Sequence, residues 1–220
     1  MKWYLDFGHG GKDSGALGQN KTKESETVLK IGLLVKNTLE QAFEKVITTR
    51  EDDKYYSLDY RSTKANKNNC DYFVSLHMNS STNKTAKRCE VWVYDKNSKL
   101  YNLSNNLCKN ISNKINTPNR GVKISKEFSV LRKTKMPALL IEIDFISNSS
   151  VENNLKSSKY IKDVADTISS TLLSFVNKSI TNDGIFYRVC IGAFNDKNNA
   201  IKLKDKAISK GFKDSYITTK

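Results

Sequence analysis

The 220-residue sequence has few residues that break or crosslink a chain, with two prolines, ten glycines and four cysteines. The cysteines are Cys70, Cys89, Cys108 and Cys190, and none of them belongs to a Cys-x-x-Cys pair. They lie in segments with periodic apolar residues, a setting that favours buried free thiols over disulfides. Because glycine is scarce, its few clusters are informative about turns.

A long hydrophobic run is also missing. No stretch is long and apolar enough to span a bilayer, so we expect no membrane partner. The amino-terminal residues "MKWYLDFGHGG" contain neither the apolar core nor the cleavage site of a secretory signal. We therefore expect a soluble chain that is synthesised in the cytoplasm without a signal peptide.

Negative charge is in short supply, since 37 Lys and Arg residues against 23 Asp and Glu give a formal net charge of +14. Such a charge favours polyanionic partners, which include nucleic acids, anionic lipids and the phosphate-bearing polymers of bacterial walls. The alternative is a solvated, lysine-rich surface. The lysines are interspersed with acids and asparagines, and no known nucleic-acid-binding module is recognisable. We therefore expect no nucleic-acid partner.

Apolar periodicity predicts strands that alternate with helices. The predicted strands are residues 2–7, 45–50, 71–77, 89–94 and 138–147. The predicted helices are residues 26–44, whose apolar stripe ends with Phe43, and residues 56–69, 100–115 and 161–175. This alternation indicates an α/β fold with a central, mostly parallel, twisted sheet flanked by helices. In such a fold the functional groups gather at the carboxyl ends of the strands.

A second unit is predicted after a larger domain of residues 1–176. Residues 177–184 are polar, contain an Asn-Asp-Gly turn signal and are expected to form a linker. Residues 185–220 follow as a strand, a helix closed by Gly211 and a second strand, which together make a small β-α-β unit. Because so short a segment buries little core, we expect it to pack on another surface or on a copy of itself.

Both histidines of the chain follow a predicted buried strand. His9 follows "WYLDFG", and His77 closes "YFVSL". The end of a buried strand is a rigid platform, which a metal site requires. Two imidazoles and one carboxylate are a common catalytic zinc set, and either Glu24 or Glu26 could supply the carboxylate from the start of the first helix. Each of these residues also has an ordinary structural explanation, as a hydrogen-bonded histidine or as a charge at a helix amino terminus.

Glu142 lies within the apolar run "ALLIEIDFIS". A carboxylate in such a run is costly unless it is paired or functional, so Glu142 is a candidate catalytic group. Asp144 lies two residues further on and would point to the same side in an ideal strand, where its charge would raise the pKa of Glu142. A distorted strand end would turn Asp144 away instead, and the sequence leaves both possibilities open.

Four blocks of the sequence resemble a known enzyme family in the order in which they occur, namely "LDFGHGGKDSGALG", "KESETVLKIG", "TREDDKYYSLDYRSTKANKNNCDYFVSLHMNS" and "MPALLIEIDFISN". They are similar to the zinc-dependent N-acetylmuramoyl-L-alanine amidases of the Amidase_3 type, which include phage endolysins and autolysins. The resemblance covers residues 2–176. It implies that zinc-activated water hydrolyses the amide between N-acetylmuramic acid and L-alanine in bacterial peptidoglycan.

The resemblance also implies roles for individual residues. His9, Glu24 and His77 match the ligands of a Zn2+ cofactor. Glu24 is preferred to Glu26 because "ESETVL" aligns with the family's Glu-Lys-x-x-x-Leu pattern. Glu142 matches the catalytic glutamate, which takes a proton from water and delivers it to the departing amine.

Two residues depart from the family pattern. Phe7 stands where proline is usual before the Gly-His pair, and Asp144 stands where glycine is usual after the catalytic glutamate. Neither departure removes a metal ligand. The resemblance also singles out four further polar residues: Asn79 and Arg120, which are candidates for substrate binding, and Arg50 and Arg61, for which structural roles are expected.

The tail "YRVCIGAFNDKNNAIKLKDKAISKGFKDSYI" resembles the first half of a SPOR domain, a β-α-β unit that binds peptidoglycan glycan strands. A complete SPOR domain has two such halves. We therefore expect either a homodimer in which two chains supply both halves, or a truncated or independent wall-binding tail.

The resemblance predicts a peptidoglycan hydrolase, with a phage or prophage endolysin that lyses a Gram-positive host as the leading interpretation. Such a protein is made in the host cytoplasm and acts at the cell wall after release. The alternative is a non-catalytic peptidoglycan-binding protein that retains the amidase fold. Retention of all four catalytic positions argues against this alternative.

Overall fold

The computed structural model describes residues 1–181, 192–212, 215 and 217. The chain divides into two compact units, residues 1–179 and 180–220. The strands are β1 Lys2–Phe7, β2 Lys45–Thr48, β3 Tyr72–Asn79, β4 Cys89–Val93, β5 Asn119–Ile124 and β6 Ala138–Phe145. The helices are α1 Glu24–Gln41, α2 Leu58–Lys67, α3 Tyr101–Ile115, α4 Ser129–Lys133, α5 Ser149–Asn154, α6 Ser158–Thr181 and α7 Lys197–Ser209.

The strands of the first unit form a single mixed sheet with the order β2-β1-β3-β6-β4-β5. β1 pairs in parallel with β2 and β3, β3 pairs in parallel with β6, and β4 pairs in parallel with β5. The pairing of β4 with β6 is antiparallel. The predicted α/β fold with a mostly parallel central sheet is thereby confirmed.

Helices cover both sides of the sheet because alternate residues of each central strand face opposite layers. In β1, Trp3, Leu5 and Phe7 pack in the larger apolar cluster, which also contains the inner faces of α1, α3 and α6. Tyr4 faces the opposite side, where it packs in a smaller cluster with Ala65 of α2 and with α4. Burial from both sides explains why the central strand β6 is a near-continuous apolar run.

Several element ends differ from those expected. α1 begins at Glu24 rather than at residue 26. Phe43 was predicted to lie inside this helix, but it has a left-handed backbone (φ 62°) beyond the helix end and is 53% exposed. β5 was not predicted, because this edge strand is largely exposed and shows no buried alternation. α6 continues to Thr181, so the first five residues of the predicted linker are helical.

The second unit contains one helix among its described residues, α7, as predicted. Asp196 caps this helix, because its side chain accepts a hydrogen bond from the Asn199 N–H at 3.0 Å. Gly211 follows the helix with a φ of 101°, a backbone conformation that glycine adopts readily. The two strands predicted on either side fall largely outside the described residues.

The described cysteines agree with the prediction from the sequence. Cys70, Cys89 and Cys108 are buried and free, as predicted, while Cys190 lies outside the described residues. In the part of the chain that the structure describes, no helix combines the length and the apolarity needed to cross a membrane.

Candidate active site

The strand ends meet at one edge of the sheet and carry most of the polar residues that the sequence singled out. The carboxyl ends of β1, β3 and β6 lie there because these three strands run in parallel. β4 is antiparallel to β6, so its amino end lies at the same edge, and β5 follows β4 in parallel. Glu24, the first residue of α1, reaches this edge from the helix side.

Three side chains at this edge could hold a metal ion. The ligand atoms of His9, Glu24 and His77 all lie within 4.8 Å of one another. Oε1 of Glu24 is 3.1 Å from Nε2 of His9 and 2.9 Å from Nδ1 of His77. The imidazole centroids are 5.0 Å apart, and the rings are nearly perpendicular at 81°. Glu26 is exposed and pairs with Lys23 instead.

Glu24 is held in place by backbone groups. Its Oε2 accepts a hydrogen bond from the Ala16 N–H at 2.8 Å, and its Oε1 accepts one from the Met78 N–H at 3.0 Å. Burial alone would raise the pKa of Glu24. The hydrogen bonds and positive charges of His77 and His9 outweigh burial and hold this pKa well below its usual value. Glu24 therefore remains a carboxylate between the two imidazoles.

His9 lies in a turn with a left-handed backbone (φ 60°), a conformation that is uncommon for residues other than glycine. Its Nδ1 is 2.9 Å from Oδ2 of Asp13, which leaves Nε2 to face Glu24. A carboxylate on the second ring nitrogen fixes the orientation of a metal-binding histidine. Burial lowers the pKa of His9, but Glu24 and then Asp13 outweigh it and raise this pKa to about 9.

Two buried arginines hold the backbone around His9. Arg50 donates to the carbonyl oxygens of Phe7 at 3.0 Å and Gly8 at 2.9 Å. Arg61 donates to the carbonyl oxygens of Phe7 and His9, both at 2.9 Å. The arginines thus satisfy the carbonyl groups of three successive residues and hold the turn that presents His9.

Gly8 and Gly15 leave the space that the candidate ligands occupy. A Cβ atom at position 8 would lie 2.4 Å from Cε1 of His77. A Cβ atom at position 15 would lie 2.6 Å from Oε2 of Glu24 and 2.6 Å from Cδ2 of His9. Any side chain at either position would therefore displace one of the three ligand-type residues.

Glu142 lies beside this group. It pairs with His77 across β3 and β6, so the two side chains extend to the same side of the sheet. Its Oε2 is buried and has no hydrogen-bond partner among the described residues. Burial raises the pKa of Glu142 to about 7, with the His77 charge opposing this rise and the charges of Glu24 and Glu90 adding to it. Such a carboxyl group can both accept and donate a proton near neutral pH.

Asp144 does not join Glu142. β6 has an extra residue relative to β3 between Glu142 and Phe145, and a bulge of this kind redirects side chains. Oδ1 of Asp144 accepts hydrogen bonds from the N–H groups of Arg88 and Phe145, both at 2.8 Å. Tyr160 packs against the larger apolar cluster. Burial raises the pKa of Tyr160, and the negative charge of Asp144 raises it further. Of the two possibilities left open by the sequence, the distorted strand end is correct.

Asn79 and Arg120 meet at Glu90, an acid of β4. Glu90 is 3% exposed and lies opposite Glu142 in the antiparallel pair. Its Oε1 accepts a hydrogen bond from Nδ2 of Asn79 at 2.8 Å, and its Oε2 is 3.3 Å from Nη1 of Arg120. The guanidinium-bearing side chain is 47% exposed. Both predicted substrate-binding residues therefore lie at the same edge of the sheet as His9, Glu24 and His77.

Phe7, which the sequence left unexplained, fills the gap between β1 and α1. It is fully buried, and its ring occupies the space beside Gly32. A Cβ atom at position 32 would lie only 2.2 Å from Cε1 of Phe7. The aromatic ring and the glycine are therefore complementary.

The sequence-based interpretation did not include Asp13 or Glu90, although each carries a signal. Asp13 lies four residues after His9 in the same glycine-rich loop. Glu90 is an acid inside the predicted apolar strand "CEVWVY", which is the same anomaly that identified Glu142.

Comparison with known proteins identifies the family of the chain. A sequence model of the Amidase_3 family, N-acetylmuramoyl-L-alanine amidase, matches residues 4–174. The chain belongs to this family. The protein is therefore a peptidoglycan amidase, and peptidoglycan is its substrate.

Relatives match most of the amidase. It is 34% identical over 223 residues to the sporulation-specific N-acetylmuramoyl-L-alanine amidase of Bacillus subtilis, with 100% of this chain and 85% of that protein covered. It is 37% identical over 182 residues to the endolysin of Bacillus phage SPP1, with 79% of this chain and 65% of that protein covered. The structure of the amidase AmiC2 of Nostoc punctiforme is similar at a TM-score of 0.75 and 33% identity, covering 80% and 97% of the two chains.

Proposed function

We propose that the amidase hydrolyses the amide between N-acetylmuramic acid and L-alanine with a Zn2+ ion held by His9, Glu24 and His77 and with Glu142 as its catalytic residue. One observation carries the proposal. The three ligand-type side chains and a neighbouring acid with a free carboxylate oxygen converge at one sheet edge, in a chain that belongs to the amidase family.

The residues present suit zinc. Two imidazole nitrogens and one carboxylate oxygen are a ligand set that zinc uses in catalytic sites. Oε1 of Glu24 already lies between Nε2 of His9 and Nδ1 of His77, and the imidazole side chains are 24% and 20% exposed, so an ion can reach them from solvent. When bound, zinc supplies a Lewis acid that polarises a carbonyl group and increases the acidity of water.

Glu142 performs the proton transfers of the reaction. Its carboxylate takes a proton from the attacking water molecule, and the carboxyl group then returns this proton to the alanine nitrogen as the C–N bond breaks. Oε2 is the available atom, because no described residue bonds to it. The products are a lactyl carboxylate on the sugar and a free amino terminus on alanine. A pKa of about 7 suits both directions of transfer.

Asn79 and Arg120 contribute to the substrate groove in different ways. Oδ1 of Asn79 accepts a hydrogen bond from the Ser80 N–H at 2.8 Å, and its Nδ2 donates to Glu90 at 2.8 Å. This side-chain amide is therefore engaged on both sides. Arg120 presents a half-exposed guanidinium and is the better donor to a substrate oxygen.

The test is an assay of purified Gram-positive cell walls with the full-length protein, in which new alanine amino termini and reducing sugars are both counted. We expect new amino termini that disappear on chelation and return on addition of zinc. Glu142→Gln is expected to lower kcat by about 10²- to 10⁴-fold, the usual contribution of a general acid–base group, without changing the bound zinc. Glu24→Gln is expected to lose zinc as well as activity.

Glu26→Gln is the matched control, because Glu26 lies on the same helical turn as Glu24 but is exposed. It should retain both zinc and activity. Release of reducing sugars instead of amino termini would contradict the proposed reaction, and full activity after chelation would contradict the role of zinc. If the wild type bound walls and released nothing, the non-catalytic peptidoglycan-binding alternative would be correct.

The biological setting we propose is that of a phage or prophage endolysin acting on a Gram-positive wall after release from the host cytoplasm. The similarity to the endolysin of Bacillus phage SPP1 supports this setting. Cells that express the protein in the cytoplasm should remain intact until their membrane is permeabilised and should then lyse. Intact cells after permeabilisation would contradict the endolysin setting.

We further propose that residues 185–220 bind the wall and pair two chains into a homodimer, with residues 177–184 as the connection to the catalytic domain of residues 1–176. Support comes from large apolar side chains at the surface of this unit, since Phe194 is 47% exposed and Phe212 is 69% exposed. Burial of such surface favours association. Light scattering that shows only monomer at micromolar concentration would contradict the dimer.

A further inference from the structure

Glu90 is a buried carboxylate beside the catalytic group, and the chemistry proposed above uses it only through its charge, which adds to the rise in the pKa of Glu142. Its side chain is 3% exposed and lies opposite Glu142 in the β4–β6 pair. Burying a carboxylate is costly unless polar or charged partners compensate it, and a second acid nearby adds repulsion. The arrangement therefore depends on the two partners of Glu90, which are Asn79 and Arg120.

These partners approach from two other strands. Asn79, at the end of β3, donates to Oε1 of Glu90 at 2.8 Å. Arg120, near the start of β5, places Nη1 3.3 Å from Oε2. Relative to β4, β5 has one extra residue opposite Glu90, where Gly121 adopts a left-handed backbone with a φ of 73°. A bulge at this position turns Arg120 onto Glu90.

An arginine anchored in this way is prepared to bind a ligand. A guanidinium has five N–H donors in a planar fork, and Glu90 engages the Nη1 end of Arg120. The side chain is 47% exposed, so its other donors remain accessible at the rim of the site. Holding a long side chain in one orientation before binding reduces the conformational entropy that is lost when the ligand arrives.

On the basis of the proposed function, we propose that Glu90 is a positioning residue. It holds the Arg120 guanidinium so that this group donates to an acceptor oxygen of the peptidoglycan substrate, next to the bond on which Glu142 acts. Glu90 itself does not touch the substrate. The positioning effect is exerted on substrate binding, through Arg120, and is separate from the effect of the Glu90 charge on the pKa of Glu142.

The test is a double-mutant cycle on the full-length, zinc-loaded protein with a soluble N-acetylmuramoyl-L-alanyl peptide as substrate. Glu90→Gln keeps the shape of the side chain. With its amide oxygen as the acceptor for Asn79, its NH₂ group faces Arg120 in place of a charged oxygen. We expect KM to rise about tenfold in Glu90→Gln and in Arg120→Ala, the range expected for one lost hydrogen bond to a charged group, with kcat changed by less than about threefold. The double variant should be no worse than Arg120→Ala alone.

Three results would overturn the inference. These are an unchanged KM in Glu90→Gln, a fall in kcat at constant KM, or independent effects of the two substitutions that multiply in the double variant. Arg120→Lys provides a second route if Glu90→Gln folds poorly, because position 120 is half-exposed and tolerates the change. A lysine has a single ammonium group for both Glu90 and the substrate, so KM should rise, and an unchanged KM would also overturn the inference.

The failure of this inference can be told apart from the failure of the proposed function. If the wild type releases no new alanine amino termini from the peptide, the proposed function is wrong and no cycle can be measured. If the wild type is active while the variants match it in KM, only the role of Glu90 is wrong.

Discussion

Replacement of Arg61 by alanine should be the most informative perturbation of the scaffold that presents His9. Nη1 of Arg61 lies 2.7 Å from Oδ1 of Asp6, and both side chains are buried, with 4% and 1% exposure. Removing one partner of a buried ion pair leaves an uncompensated charge, which costs about 3–5 kcal/mol. The carbonyl oxygens of Phe7 and His9 lose their donor in the same substitution.

The expected loss is large compared with the stability of an ordinary domain, which is about 5–15 kcal/mol. For a domain of this size each kcal/mol lowers the Tm by about 2–4 °C, so Arg61→Ala should lower the Tm by about 6–20 °C. Urea unfolding measures the free energy directly. Arg132→Ala is the matched control, because Arg132 is exposed and its bond is a surface contact to the Lys126 carbonyl oxygen at 3.2 Å.

The pH dependence separates the buried charge from simple loss of packing. Burial raises the pKa of Asp6, but the Arg61 charge and the Thr49 and Ser75 hydrogen bonds outweigh it and lower this pKa in the folded protein. A carboxyl group whose pKa is lower in the folded protein than in the unfolded chain stabilises the folded state at pH values above the unfolded pKa of about 3.9. This contribution is lost as the pH falls through the folded pKa. In Arg61→Ala the unpaired Asp6 can be neutralised by protonation. The difference in unfolding free energy between the wild type and this variant should therefore shrink as the pH falls from 7 to 4. A loss below about 1 kcal/mol, or one independent of pH, would refute the reasoning.

Three other substitutions test separate contacts. Gly32→Ala places a Cβ atom 2.2 Å from Cε1 of Phe7 and should lower the unfolding free energy by about 1–3 kcal/mol. Phe7→Leu in the same chain should restore part of this loss, and an unchanged Tm in Gly32→Ala would contradict the close packing. Asp13→Asn weakens the contact to Nδ1 of His9 and should lower zinc affinity by about 10- to 100-fold in a chelator competition, whereas unchanged affinity would exclude the orienting role. Glu152→Gln removes a fully buried carboxylate that accepts hydrogen bonds from the Asn20 N–H at 2.9 Å. Limited proteolysis should then cut the loop around residue 20 faster than in the wild type, and equal rates would show that other contacts hold the loop.

The order and type of the central elements could be predicted from local patterns. β1 was predicted with its observed ends, because a short apolar strand stops where Gly8 begins. α1 and the helices of the larger cluster follow from apolar residues at helical spacing. Phe43 shows the limit of such patterns, since its spacing fitted the helix while its backbone did not.

The candidate site could be predicted only in part. His9 and His77 lie at the carboxyl ends of strands that run in parallel, so the general rule about carboxyl ends found them. Glu142 was found as an acid inside an apolar run. Glu90 lies near the amino end of β4, and the rule has no reason to select that end. The position of Asp144 depends on one extra residue in β6, and neither a bulge nor its partner strand can be read from periodicity alone.

The sequence by itself therefore determined the fold class, through its alternating apolar patterns, and the family, through the blocks that resemble it. His9, Glu24 and His77 were predicted as ligands because they match the motifs of that family. Only the tertiary structure decided the antiparallel direction of β4, the two bulges and the meeting of Asn79, Glu90 and Arg120 at the edge of the active site. The physical reason is that strand direction and register depend on pairing between segments far apart in the chain. A shift of one residue in that pairing moves a side chain to the other side of the sheet.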